Sequence, residues 1–282
     1  MQEWILPTIM VYLSVSSMFF HEYPVGEIFD FVSETGFEAI EFWPETPDFW
    51  LRDLPVDELA GLFRDHPQLR HNSVHAPILD LNPCSINPGV ARLSLEYAVR
   101  SLRMAETINA SVFTFHPGKR TAKRVPSAAD FKRFHHLIET IRSEACQGQV
   151  MVAIENMERS VNSLLCTPES VRELLDREPW LYFTLDVSHA MGTSIDEVIR
   201  YIDLCHDRLV NIHLSRAEGT RMHLPVGRSP AIRTVLRALG EYGYEGNLTL
   251  EIEDRNFDHE YSSEEKCSLL AGEIDAIREC LQ

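Results

Sequence analysis

The chain has 282 residues, 44% hydrophobic and 24% charged, which is enough to build a large core. A formal net charge of −17 argues against coating nucleic acid, where most affinity comes from neutralising phosphates. Cys84, Cys146, Cys166, Cys205, Cys267 and Cys280 are scattered without a C-x-x-C pair, as in a cytoplasmic protein with reduced thiols. The start lacks a basic segment, and Ser, Pro and Glu break its apolar run, so it reads as neither signal peptide nor membrane span.

A first apolar run covers 9–15. Helical spacing of Ile28, Phe29 and Val32 follows over 26–35, closed by Gly36. Residues 39–43 read as a second strand, 56–63 as a short helix after a proline, and 71–75 as a third strand ending at Ala76-Pro77. An amphipathic helix over 91–108 turns Leu93, Leu95, Ala98, Leu102 and Ala105 inward. The fourth strand, 111–116, is stopped by Pro117-Gly118, and Ser127 caps a helix over 127–145 ahead of Asp130.

Val150-Met151-Val152-Ala153-Ile154 is an unbroken apolar run, the pattern of a strand buried on both faces. It ends on Glu155 and Asn156. A buried ionised Glu is costly unless a cation or donors meet it, so Glu155 needs a partner. Thr167-Pro168-Glu169-Ser170 opens a helix with Pro at its first position. A sixth strand at 181–186 precedes a helix at 194–204, and a seventh covers 209–213. A loop rich in Gly, Pro and Arg leads to a helix at 231–240, then an eighth strand at 248–251 and a closing helix at 262–280.

Eight strands thus alternate with eight helical segments, and no linker or shift in composition divides the chain. That alternation predicts parallel strands with helices outside, and eight units close a barrel. The expectation is a single (β/α)8 TIM barrel over 1–282. An open doubly wound sheet would normally carry a G-x-G-x-x-G turn after its first strand, which is absent.

In such a barrel the C-terminal strand ends meet at one mouth. Seven of the eight end on a carboxylate or an imidazole: Glu41, His75, His116, Glu155, Asp186, His213 and Glu251. Any one alone is an ordinary loop residue. These residue types make up only about a fifth of the sequence, however, so their joint placement carries the signal. Converging carboxylates raise one another's pKa and neutralise unless a cation joins them. Mixed imidazole and carboxylate donors suit Zn²⁺, Mn²⁺, Fe²⁺ or Co²⁺ better than Ca²⁺ or Mg²⁺. Glu155, Asp186, His213 and Glu251 can close round one ion, and His75 and His116 can join Glu155 at a second. One or two ions both fit the pattern, and Glu41 is left as a supporting residue.

The ordered set Val74-His75-Ala76-Pro77, Phe115-His116-Pro117-Gly118, Ile154-Glu155-Asn156, Asp186-Val187-Ser188-His189, Ile212-His213-Leu214, His223-Leu224-Pro225-Val226-Gly227 and Leu250-Glu251 resembles the xylose isomerase-like TIM-barrel superfamily. That superfamily contains sugar isomerases, sugar epimerases and endonuclease IV, and the resemblance spans nearly the whole chain. It implies that Glu155, Asp186, His213 and Glu251 correspond to the single-metal site of ketose 3-epimerases. His75 and His116 added to them resemble the two-metal core of endonuclease IV. The third zinc of that enzyme uses the His of D-x-x-H and an Asp-x-His. His189 and His223 are present, but Arg221 stands at the Asp position, which counts against a third site.

His189 and His223 are expected at the mouth as substrate contacts. Lys119, Arg120, Lys123 and Arg124 follow the fourth strand, and Arg216, Arg221 and Arg228 the seventh. This placement hints at an anionic substrate such as a sugar phosphate, with Lys119 and Arg216 as candidate contacts. Phe19, Tyr23 and Trp43 are candidates for an apolar wall or for core packing, and His135, His136 and His206 for the surface.

The expected function is a metal-dependent sugar or sugar-phosphate isomerase or epimerase. Glu155 and Glu251 move the proton through a metal-stabilised enediolate, with Zn²⁺ or Mn²⁺ as cofactor. The alternative is an endonuclease IV-like phosphodiesterase acting on abasic DNA, which the acidic charge and Arg221 disfavour. A metal-binding barrel without catalysis is a third class. Nothing implies a membrane, and an oligomer is compatible with the sequence.

Overall fold

The computed structural model describes residues 11–145 and 149–281. Cys146 and the start of the first apolar run therefore lie outside the described residues. Each apolar run forms a strand covered on both faces, by helices outside and by the barrel's own interior within. The barrel strands are β1 (Tyr12–Ser16), β2 (Ala39–Phe42), β3 (Ser73–His75), β4 (Val112–Phe115), β5 (Met151–Glu155), β6 (Tyr182–Asp186) and β7 (Leu209–Leu214). A hairpin of β8 (Arg216–Glu218) and β9 (Arg221–Leu224) precedes the last barrel strand, β10 (Asn247–Leu250). The eight barrel strands pair in parallel and close in the order β1-β10-β7-β6-β5-β4-β3-β2. The register aligns Asp186 with His213 and Thr184 with Glu155, so the strand-end side chains share one layer.

Local chemistry places the helices much as the sequence implies. Gly36 ends Val25–Thr35 at φ 88°, Thr167 and Ser170 form a reciprocal cap on Pro168–Arg177, and the Ser194 side chain accepts from the Glu197 amide. The helix expected at 91–108 runs Pro88–Thr107 and buries Ala98, Leu102 and Ala105 as expected, with one exception at its start. Leu93 is 44% exposed, and Ser94 is buried instead. Ser94 Oγ donates to the Val90 carbonyl at 2.7 Å and accepts from the Asn82 amide at 2.8 Å, tying the helix to the β3 loop.

Three elements depart from expectation. Pro47–Leu51 and Val187–Met191 are short helices, and the loop after β7 contains the β8–β9 hairpin, turned at Gly219 with φ 62°. Val187–Met191 starts directly on Asp186, whose side chain caps it by accepting from the His189 amide.

Below the mouth the barrel interior is polar. Thr114 and Thr184 hydroxyls lie 2.9 Å apart, and Thr249 donates to Asn211 Oδ1 at 2.8 Å. Asn211 and Ser73 donate to Glu41 Oε2 at 2.8 and 3.0 Å. A carboxylate in the middle of a barrel is tolerable only with such donors. Cys84, Cys205 and Cys280 are buried free thiols, with Cys166 and Cys267 half-buried. No described helix is long and apolar enough to cross a membrane.

The turn after β4 shows how tightly the mouth loops are fitted. Gly118 sits at φ 76°, where a Cβ would lie 2.9 Å from Asn82 Oδ1 and 3.2 Å from Cys84 Cβ. Gly118→Ala is therefore strained twice over and should cost about 1–3 kcal/mol in denaturant unfolding. Unchanged stability would contradict this fit.

Candidate active site

The strand ends deliver Glu155 to the centre of a cluster. Its Oε2 lies 3.2 Å from His75 Nε2, 3.1 Å from His116 Nε2 and 3.3 Å from His213 Nδ1. His213 Nδ1 also stands 3.1 Å from Glu251 Oε2, and His189 Nδ1 3.4 Å from Glu155 Oε1. His223, which adopts φ 54° in β9, brings Nδ1 to 3.6 Å from Glu251 Oε2 and 3.9 Å from Asp186 Oδ2. That left-handed backbone is uncommon for a non-glycine residue and marks a position held by its surroundings. The Glu253 amide supplies one restraint, donating to the His223 carbonyl at 3.0 Å.

Several of the ring nitrogens already have their protons assigned by their partners. His75 Nδ1 is 2.7 Å from the Ala76 carbonyl and His189 Nδ1 is 2.9 Å from the Asn156 carbonyl. A carbonyl only accepts, so each Nδ1 carries hydrogen. His75 Nε2 also faces an acceptor, Glu155 Oε2, so the charged ring donates from both nitrogens and Nε2 becomes a lone-pair donor only when that proton leaves. His213 Nε2 lies 2.8 Å from Glu41 Oε1 but off the direction of a hydrogen bond, so Glu41 acts on it through charge.

Asn156, the amide following Glu155, locks two strands together. Its Oδ1 accepts from the Asp186 amide at 2.8 Å and its Nδ2 donates to the Asp186 carbonyl at 3.0 Å. Asp186 Oδ1 is used by the His189 amide at 2.6 Å, which leaves Oδ2 for the cluster.

Burial and neighbouring charge set the protonation. Burial pushes Glu155 up, but His116 and His213 outweigh it and hold the carboxyl well below its ordinary range. Glu251 behaves alike, with His213 and His223 outweighing burial. For Asp186 burial wins, only partly offset by His189 and His223, and the carboxyl is raised. Burial lowers His189, yet Asp186 and Glu155 bring it up to about 9. His75 is raised by Glu155 against burial, and His213 well raised by Glu251, Glu41 and Glu155. Without a metal, imidazolium protons compensate the carboxylates.

These residues fit a divalent cation. Asp186 Oδ2, His213 Nδ1, His223 Nδ1 and Glu251 Oε2 are buried without a hydrogen-bond partner, which is costly unless something else satisfies them. Three sets have donor atoms within 4.8 Å of one another: Glu155, Asp186 and His213; His75, His116 and Glu155; Asp186, His189 and His223. Imidazole and carboxylate donors at this spacing suit a transition metal.

The cluster opens on a cavity of about 350 Å³ lined by Glu155, His116, His189, His223 and Glu251, with Trp43, Ile78, Leu79, Met157 and Lys119 around them. Trp43 stacks on His75 with ring centroids 3.9 Å apart, so it serves as site wall. Phe19 is core, and with Tyr23 it surrounds the buried Lys266 ammonium. Lys266 donates to the Phe19 carbonyl and pairs with Asp254. His135, His136 and His206 are on the surface. Arg216, expected to touch substrate, is instead bound to the Pro225 carbonyl at 2.7 Å and to Glu218, and it does not line the cavity. The hairpin, which the sequence shows only as a loop, is what engages it.

Two carboxylates outside these donor sets hold the mouth loops, and sequence reasoning missed both. Glu45 accepts from the Ile78 and Leu79 amides at 2.8 and 2.6 Å. Burial pushes it up to about 7 against those bonds. Glu273, on the closing helix Ser263–Leu281, accepts from the Val226 and Gly227 amides just past His223. The sequence signal, an acidic residue in an apolar stretch, does not name partners more than thirty residues away.

A family model for the xylose isomerase-like TIM barrel matches residues 29–274. The chain belongs to the xylose isomerase-like TIM-barrel family. Within reach of this family, an uncharacterized protein of Methanocaldococcus jannaschii is 31% identical, covering 95% of this chain and 98% of its own. A probable endonuclease 4 of Akkermansia muciniphila is 27% identical over 50% of this chain and 53% of its own. Among solved structures, a D-tagatose 3-epimerase-like protein aligns with TM-score 0.77 at 22% identity, covering 96% of this chain and 97% of that one. A D-psicose 3-epimerase determined in the presence of D-fructose aligns with TM-score 0.78 at 17% identity over 96% and 99%. These two likenesses establish a shared fold.

Metal titration tests the cluster. Affinity for Mn²⁺ or Zn²⁺ should rise with pH as imidazolium protons leave, that of His189 as pH passes about 9. In the metal-free protein the stabilisation from charged His189 should be full below about 6.5 and fade as pH rises through about 9. Glu41→Gln, which neutralises the charge behind His213, should weaken metal binding about 10- to 100-fold in calorimetry. A pH-independent affinity, or an unaffected variant, would contradict the arrangement.

Proposed function

We propose that this protein is a metal-dependent sugar isomerase or epimerase in which Glu155 and Glu251 transfer the proton. The observation that carries the reading is the convergence of buried, unpartnered acceptors, Asp186 Oδ2, His213 Nδ1 and Glu251 Oε2, beside Glu155 at the floor of a small-molecule cavity. The solved structures of like fold include a D-psicose 3-epimerase and an L-ribulose 3-epimerase, which favours the same class of chemistry.

Glu155, Asp186, His213 and Glu251 would hold the cation, and His75 and His116 offer a further position with Glu155. When bound, the cation supplies a Lewis acid that lowers the cost of negative charge on the sugar's carbonyl and adjacent hydroxyl oxygens. The protein residues do the rest. Glu155 and Glu251 each approach His213 Nδ1, at 3.3 and 3.1 Å, and both line the cavity, so a sugar seated there meets both carboxylates. One accepts the proton beside the carbonyl and the other returns it. Return from the opposite face epimerises, and return to the neighbouring carbon on the same face isomerises. His189, with Nδ1 fixed by the Asn156 carbonyl, offers its other ring nitrogen to a sugar oxygen. Trp43 and Met157 supply apolar wall and help exclude water.

A second reading, a phosphodiesterase like endonuclease IV, is favoured by the two additional donor sets, His75–His116–Glu155 and Asp186–His189–His223. Against it, Arg221 is exposed and paired with Glu218 beside the third set, and the chain is strongly acidic.

The test is Glu155→Gln in the metal-loaded protein. Solvent-deuterium incorporation into a responsive ketose should fall at least 100-fold, with the fold intact. Retained exchange would refute the proton-transfer role. Nicking of an abasic duplex by the wild type, with no exchange into any ketose, would transfer the assignment to the second reading.

A further inference from the structure

Seven basic residues follow the fourth and seventh barrel strands, and the structure sorts them. Arg120 is bound to the Val125 carbonyl and Asp130, Arg216 to Glu218 and the Pro225 carbonyl, Arg221 to Glu218, and Arg228 to Glu279. Lys123 and Arg124 are exposed and do not line the cavity. Lys119 does line it, and its ammonium group has neither an ion pair nor a hydrogen bond among the described residues. Arg255, on the same wall, is paired with Glu253.

The backbone that carries Lys119 is fastened on both sides. Its amide donates to Asn82 Oδ1 at 3.1 Å, and its carbonyl accepts from Asn82 Nδ2 at 2.8 Å. Lys119 also bridges to Ser163, and Gly118 before it has no room for a side chain. The same wall carries four carboxylates, Glu155, Glu158, Glu251 and Glu253, with the imidazoles of His116, His189 and His223 among them. A lysine ammonium unpaired among the described residues, held on the wall of a cavity rich in carboxylates, selects a ligand by charge.

We propose that Lys119 binds an anionic group on the substrate, a phosphate or a carboxylate carried on the part of the sugar away from the reacting carbon. This rests on the sugar reading above and names the substrate as an anionic sugar. Lys suits the role because its flexible stem brings a point charge with three donors to a tetrahedral or planar anion alike.

The experiment compares equilibrium binding of D-fructose, D-fructose 6-phosphate and D-fructuronate to the Mn²⁺-loaded full chain by calorimetry. The wild type should prefer at least one anionic sugar over D-fructose. In Lys119→Met that preference should shrink about 10- to 100-fold, and Lys119→Arg should retain most of it. Preference for the phosphate alone, the carboxylate alone or both identifies the group. Equal binding of all three sugars by the wild type, or a preference that survives in Lys119→Met, would overturn the proposal. Binding is read without turnover. A Lys119-dependent preference with no hydrogen exchange would therefore sink the epimerase reading and leave this site standing.

Discussion

The structure depends on compensating the carboxylates gathered at the C-terminal pole of the barrel. Glu41, Glu155, Asp186 and Glu251 are all buried within a shell shared with four imidazoles and His116 at its edge. Ionised carboxylates out of water are tolerated only when cations or donors meet them, and removing one partner leaves an uncompensated charge. Two kinds of compensation are available here, protons on His75, His189 and His213, or a metal that displaces them. The first leaves several buried acceptors unpartnered, whereas the second uses their lone pairs. That difference is what supports reading the cluster as a site rather than as an expensive way to build a core.

Everything around the cluster serves to hold it open and in register. Parallel closure of the barrel puts the strand ends in one layer, and Asn156 pins β5 to β6 through the backbone of Asp186. Glu41 sits below, satisfied by Ser73 and Asn211, with its second oxygen against His213. The walls are held separately, by Glu45 on the β3 loop and by Glu273 on the end of the hairpin segment. Those loops would otherwise present free amides to a water-poor interior. The division gives a rigid floor and individually anchored walls, and wall residues are where substrate choice can change without disturbing the donors.

Much of this was legible in the sequence because barrel geometry ties chain position to spatial position. An apolar run that stops on Glu155 or Asp186 places that residue at the mouth whatever the remaining contacts are. The residues that were not legible depend on contacts across the fold. Arg216 looks like a mouth-side cation, yet β8 and β9 turn it onto the Pro225 carbonyl and Glu218. Those strands have three and four residues, too few for a period-two pattern to emerge from a Gly- and Arg-rich segment. Leu93 was expected inside because it is apolar at roughly the right spacing. Ser94 takes the buried position since its hydroxyl satisfies the Asn82 amide, a bond that no helical periodicity encodes.

The central claim is that a divalent cation belongs at the meeting point of Glu155, Asp186, His213 and Glu251. Anomalous diffraction from crystals grown with Mn²⁺ tests it most directly. The account predicts an anomalous peak bonded to those four side chains, with His213 contributing Nδ1. A cluster that keeps its imidazole–carboxylate contacts in saturating Mn²⁺, with the peak absent or elsewhere on the molecule, would contradict it.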